Sequence, residues 1–286
     1  MNVTTHDTTR CLLGEGAFWH PERQQFYWCD ILSNCVLTRE QGMLRDWTFD
    51  TQVSCLGWVD RDRLIAATAR AIVTLDVERG TIEPVCDLER DHPGNRSNDG
   101  RADPHGGFWV GTMSLAKEPA AGAIYRYYKG ELRRIVPGLS IPNAICFAPD
   151  GRTAYYSDTL EKVIRRLSLG ADGWPEAESA IAVDLRDTPH VADGAVCDAE
   201  GNIWTAQWGS SRVAVYSPVG DFLHAVGFPA FQTSCPAFGG ADLTTLFCTS
   251  AAIGIEEDEI AANPGHGRTF CVEGAGRGVA EHRVEL

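Results

Sequence analysis

Helical periodicity is nearly absent from this chain, and so are long apolar runs and blocks of like charge. No stretch approaches the roughly 18 apolar residues that a membrane-spanning helix needs. No run reaches five like charges, and the net charge is −14. Nucleic-acid backbones and anionic membranes both require a basic face, so neither is an expected partner. Met1 to Asp7 carry neither a basic nor an apolar stretch, so no secretory signal is read there and a cytoplasmic location is expected. Ten cysteines are scattered without a Cys-x-x-Cys pair or a Cys/His zinc spacing. Cys29, Cys146, Cys197, Cys248 and Cys271 fall in apolar runs, where a reduced thiol behaves as a small hydrophobe. Also missing are a Gly-x-Ser-x-Gly elbow, a phosphate-binding loop and a dinucleotide fingerprint. What the chain does have is a hydrophobic fraction of 44%, ample for a packed core.

It also has a repeat. Gly14-Glu15-Gly16 precedes Phe26-Tyr27-Trp28, Asn98-Asp99-Gly100 precedes Phe108-Trp109-Val110, and Pro142-Asn143-Ala144 precedes Ala154-Tyr155-Tyr156. Asp193-Gly194-Ala195 stands in the same way before Ile203-Trp204-Thr205. Two plainer copies, opening on Ser54-Cys55 and Ser234-Cys235, make six, with steps of 38 to 49 residues between them. That period, filled with short strands, predicts an all-β, six-bladed β-propeller with four antiparallel strands per blade. In the fourth copy, strands are expected at 144–148, 154–157, 163–169 and 180–185, with Pro149-Asp150-Gly151 turning the first hairpin. The fifth predicts strands at 195–198, 203–206, 212–216 and 222–226. The one expected helix, 255–262, lies in an insertion of the sixth copy. The loop 253–267, with its acidic run at 256–259, reads as a solvated face. The closing strand is expected from 10–13 or from 282–286. Since the repeat spans the chain, one domain, 1–286, is expected.

Inner strands of a propeller run side by side around the axis, so the residues opening each copy share one face. Glu15, Asn98, Asn143 and Asp193 would then meet at a central point, with small neighbours (Gly14, Gly16, Gly100, Ala144, Gly194) allowing close approach. Gathered carboxylates are costly to ionise together, and a bound cation removes that cost. The oxygens of Glu15, Asn143 and Asp193 suit one hard divalent ion, whether Ca²⁺, Zn²⁺, Mn²⁺, Mg²⁺ or Fe²⁺. The local alternative is that each residue only caps a turn. Arg96 either clamps substrate oxygens or pairs with Asp91 or Asp99. Cys55 and Cys235 open the plainer copies and are expected to line the pocket. Asp103, Asp150 and Asp198 read as turn residues, Trp109 and Trp204 as core, and His190 as non-catalytic.

In combination, Leu13-Gly14-Glu15-Gly16, Arg96-x-Asn98-Asp99-Gly100, Gly111-Thr112-Met113, Pro142-Asn143 and Asp193-Gly194 before Trp204-Thr205-Ala206 resemble the gluconolactonase/regucalcin family, also called senescence marker proteins. Members of that family are six-bladed propellers that hydrolyse sugar lactones with a divalent metal. The resemblance implies that Glu15, Asn143 and Asp193 are metal ligands, that Asp193 is also the general base, and that Arg96 and Asn98 contact a small sugar lactone. One departure stands out: some animal members carry a substrate-contacting Glu where this chain has Ala116. The rival readings are a phosphotriesterase-like or non-sugar lactone hydrolase on the same site, and a calcium-binding or interaction propeller without catalysis.

Overall fold

Short apolar strands separated by tight turns leave each copy only one way to satisfy its backbone, as an antiparallel meander. In the computed structural model, which describes residues 1–286, six such sheets of four strands surround one axis. The fourth blade is built from Pro142–Phe147, Thr153–Asp158, Val163–Ser168 and Ala180–Asp184. Its first hairpin turns where Asp150 accepts the Arg152 amide at 2.8 Å. The fifth blade, Ala195–Cys197, Ile203–Gln207, Arg212–Tyr216 and Phe222–Gly227, follows the expected spans within a residue. The innermost strands of the other blades are Gly14–His20, Val53–Trp58, Asn95–Ala102 and Gln232–Gly239. Consecutive inner strands adjoin all the way round, last to first.

The apolar core is distributed rather than central. Each of six large clusters lies between two neighbouring sheets: Trp28 and Phe247 pack between blades six and one, Trp109 and Phe147 between three and four, and Trp204 and Phe270 between five and six. Asp103 and Asp198 do more than turn a hairpin. Each accepts the indole N–H six residues on, from Trp109 at 3.0 Å and Trp204 at 2.9 Å, so a turn residue also fixes a core ring.

Neither expected segment closes the ring. The outer strand of the sixth blade is Val3–Asp7, hydrogen-bonded to Thr269–Val272. Residues 10–13 are held otherwise: the amides of Leu12 and Leu13 both donate to the Asp30 carboxylate, at 2.9 Å each, and only Leu13 makes a bridge, to Ala251. The C-terminal residues instead cross the face at which the inner strands end, with Val284 bonded to Trp58 and Glu285 to Gly106. The helix is present as Glu257–Ala262, and the acidic run beside it is exposed. No helix is long and apolar enough to cross a membrane.

Candidate active site and cation site

The site is made by irregularities at the start of the inner strands. Register breaks between Glu15 and Phe18, between Ser97 and Gly100, and between Asn143 and Cys146. Such bulges turn a side chain out of the pleat and toward the axis. The residues after Glu15 and Asn143 take the left-handed conformation: Gly16 at φ 57° and Ala144 at φ 54°. For Ala144 this costs about 1 kcal/mol or more. The bulge is held by Asp99, whose Oδ2 accepts the Ile145 amide at 2.7 Å from the neighbouring blade. Asp193 needs no bulge, because it precedes its strand. Its amide donates to the Ala206 carbonyl and that of Gly194 to Ser234, both at 2.8 Å. A side chain at Gly194 would strike Cys235, whose Sγ lies 2.8 Å from where its Cβ would stand.

Glu15, Arg96, Asn98, Asn143 and Asp193 all line one cavity of about 290 Å³. None is more than 9% exposed. A directed chain of hydrogen bonds fixes the amides: Arg96 donates to Asn98 Oδ1 at 2.9 Å, and Asn98 donates to Asn143 Oδ1 at 2.9 Å. Asn143 then donates to Thr159 Oγ1 at 2.8 Å, and Thr159 to the Ala192 carbonyl at 3.1 Å. With the Asn143 amide nitrogen directed to Thr159, its carbonyl oxygen, which also accepts from Asn98, is the end that can serve the cavity. Arg96 pairs with neither Asp91 nor Asp99; it donates instead to Asn98 and to the Ser97 carbonyl.

The carboxyls resist ionisation. Burial, then the charge of Asp99, pushes Glu15 up to about 8, with Arg96 opposing. Burial, then Glu15 and Asp99, raises Asp193 well above the usual carboxylate range, again against Arg96. Asp99 is itself raised by burial to about 6. One guanidinium does not offset three clustered acids. Those three acids are not so placed that all could hold one metal ion, nor are three or more His, Cys, Asp or Glu side chains elsewhere. The donor set here is two carboxylates and an amide oxygen, hard ligands that fit a divalent cation and leave positions free.

Sequence reasoning missed part of the lining. Thr159, Trp208 and Ile253 each follow the second strand of their blade, and aligning those loops across the repeat would have found them. Cys55 and Cys235 do not line the cavity. They are fully buried, with their sulfurs packed against Gly100 and Gly194, because the bulges turn them away from the axis. His190 stays outside and bonds Ser210.

Comparison with known proteins places the chain in a family. The SMP-30/Gluconolactonase/LRE-like region matches residues 13–252. An L-arabinolactonase of Azospirillum brasilense is 33% identical over 96% of this chain and 93% of its own length. A 6-deoxy-6-sulfogluconolactonase of Pseudomonas putida is 30% identical over 96% and 98%. The crystal structure of a calcium-binding protein, regucalcin, from Agrobacterium tumefaciens strain C58 superposes with a TM-score of 0.96 at 36% identity, covering 99% of this chain and 97% of that one. With four-fifths of its length matched and these sequence relatives at 30% identity or more, the chain belongs to the SMP-30/gluconolactonase/LRE-like family.

Proposed function

We propose that this protein hydrolyses a sugar lactone to its aldonic acid, using Asp193 as general base beside a divalent ion held by Glu15, Asn143 and Asp193. The observation that carries the reading is the convergence, in one small cavity, of two carboxyls whose ionisation burial and neighbouring acids oppose. The lactonase names of the relatives support the reaction class, and a calcium-binding neighbour supports the ion. When bound, the ion would stabilise negative charge developing on the lactone carbonyl oxygen. Asp193 takes a proton from the attacking water as its oxygen bonds to the carbonyl carbon. It returns that proton to the ring oxygen as the C–O bond breaks, which leaves an open acid and regenerates the carboxylate. Arg96 and Asn98, locked together, orient the ring hydroxyls and contribute positioning. Leu13, Met113 and Ile141 add apolar surface to the same cavity.

Asp193→Ala is expected to lower kcat on sugar lactones by about 10³-fold or more with the fold intact. A pH-stat assay on ion-stripped enzyme, reloaded with each of Ca²⁺, Zn²⁺, Mn²⁺, Mg²⁺ and Fe²⁺, reads both claims. Wild-type turnover by the variant ends the role of Asp193, and full activity in excess EDTA ends the role of the ion. A second reading, a lactone without sugar hydroxyls, draws on the apolar half of the lining; the same assay on an alkyl lactone separates the two.

A further inference from the structure

The cavity has two unlike ends. Its floor is polar and buried. Its rim is apolar and open, carrying Leu32, Leu115, Trp208 and Ile253 around a single charged group, Lys117. No side chain on this rim is a hydrogen-bond acceptor. Thr159, the nearest hydroxyl in the lining, already donates to the Ala192 carbonyl and accepts from Asn143. Ala116, between Leu115 and Lys117 in the same loop, offers no acceptor either. A hydroxyl group reaching this end finds no side-chain acceptor for its proton and gains no protein hydrogen bond through it. A group that only accepts hydrogen bonds has no such proton to place.

Lys117 is placed to meet one. The chain has three lysines. Lys129 pairs with Glu285 at 2.8 Å, and Lys162 donates to the Thr188 carbonyl. Lys117 alone has neither an ion pair nor a hydrogen bond through its ammonium, although the protein around it is strongly acidic. Its loop is set in place: Leu115 N bonds the Gly94 carbonyl at 2.8 Å, Lys117 N bonds that of Ser114 at 2.9 Å, and Lys117 itself sits in the left-handed region at φ 56°. A free cation on a fixed loop, over a cavity that holds the reacting end of the substrate, is a recognition group.

We propose that Lys117 binds an anionic substituent at the end of the lactone remote from its carbonyl, so that the preferred substrate is an acidic sugar lactone carrying a carboxylate, sulfonate or phosphate there. This rests on the lactonase reading above. The apolar rim then flanks the C–H faces of the ring, and the ammonium forms a charge-assisted hydrogen bond.

The test is a set of aldonolactones identical except at the remote position, which bears hydroxymethyl, methyl, carboxylate, sulfonate or phosphate, assayed with ion-loaded full-length enzyme. At least one anionic member is expected to exceed the hydroxymethyl lactone in kcat/KM by about tenfold at low salt, and its rank among the three identifies the anion. That advantage is expected to shrink as sodium chloride is raised. It should fall to about one in Lys117→Met and persist in Lys117→Arg. The exposed position of Lys117 makes folding of both variants secure. Equal kcat/KM across the set, a best rate on the methyl lactone, or an anion preference that survives Lys117→Met overturns the proposal while leaving the lactonase reading intact. Failure of the wild type on every lactone with every ion overturns the reading and this inference together.

Discussion

Asp99 lies outside the cavity lining, and its contacts make it a positioning residue. One oxygen holds the Ile145 amide, the other that of Gly100 at 2.9 Å, and no cation touches it. Through Ile145 it braces the bulge that carries Asn143. Asp99→Ala strands both amides in the interior, at about 1–3 kcal/mol for each unsatisfied group. The variant is expected to lose about 2–4 kcal/mol in urea unfolding and to bind divalent ions more weakly by titration calorimetry. Asp99→Asn keeps an acceptor and should recover most of the ion affinity. Ion binding by Asp99→Ala equal to that of the wild type would make Asp99 structural only. At this scale the sequence was readable where the repeat places a polar side chain beside a small one: Glu15, Asn98, Asn143 and Asp193 all reach the cavity. It misled at Cys55 and Cys235, because alignment locates a residue along a strand but a bulge decides which neighbour faces the axis. Thr159 was missed for another reason: it follows a second strand rather than opening a copy, and its hydroxyl serves Asn143, which lies sixteen residues away.

Among the elements, the strand that seals the ring was the least legible. Val3–Asp7 reads Val-Thr-Thr-His-Asp, with too few apolar residues to show a period. The strands of blades four and five, by contrast, alternate between clear turn signals. The closing strand packs a half-buried His6 inward, its ring edge-on to Phe26, Trp28 and Phe247 at centroid distances of 5.0–6.0 Å. Its Nε2 has no partner. Burial pushes the imidazole down from 6.5 to about 4. Above pH 6.5 the ring is neutral whether folded or not, and its titration does not affect stability. Below that, the unfolded chain takes up a proton that the folded chain refuses, so stability falls as the pH drops from 6.5 towards 4. His6→Leu keeps the contact and removes the titration. Between pH 7.5 and pH 4.5 the wild type is expected to lose about 2–3 kcal/mol more than His6→Leu, read from urea midpoints at each pH. Parallel profiles for the two proteins would show that the strand is already loose in the folded state.

At the scale of the molecule, a ring of six wedges needs fastening on both faces. The hydrogen-bonded amides and bulges fasten the face with the cavity. The opposite face is fastened by the C-terminal segment, which runs from the fifth blade, where Ala199 bonds Arg277, to the second and third. In the middle of that crossing Glu281 pairs with Arg101, and both are buried. Trp58 adds a bond to the Glu281 carbonyl at 2.9 Å, and Arg101 also reaches the Pro236 carbonyl at 3.2 Å. Arg101 thus joins the third blade, the sixth and the tail. The sign of this pair's effect depends on how it is broken. Glu281→Ala leaves a guanidinium buried without its counter-ion, and a loss of about 3–5 kcal/mol is expected. Arg101→Met with Glu281→Leu removes both charges and should recover most of that loss. Because the tail lies on the face away from the cavity, kcat and KM per folded molecule are expected to match the wild type in both proteins. A Glu281→Ala protein that unfolds within about 1 kcal/mol of the wild type would mean that water reaches Arg101, and that the ring is closed by its outer strand alone.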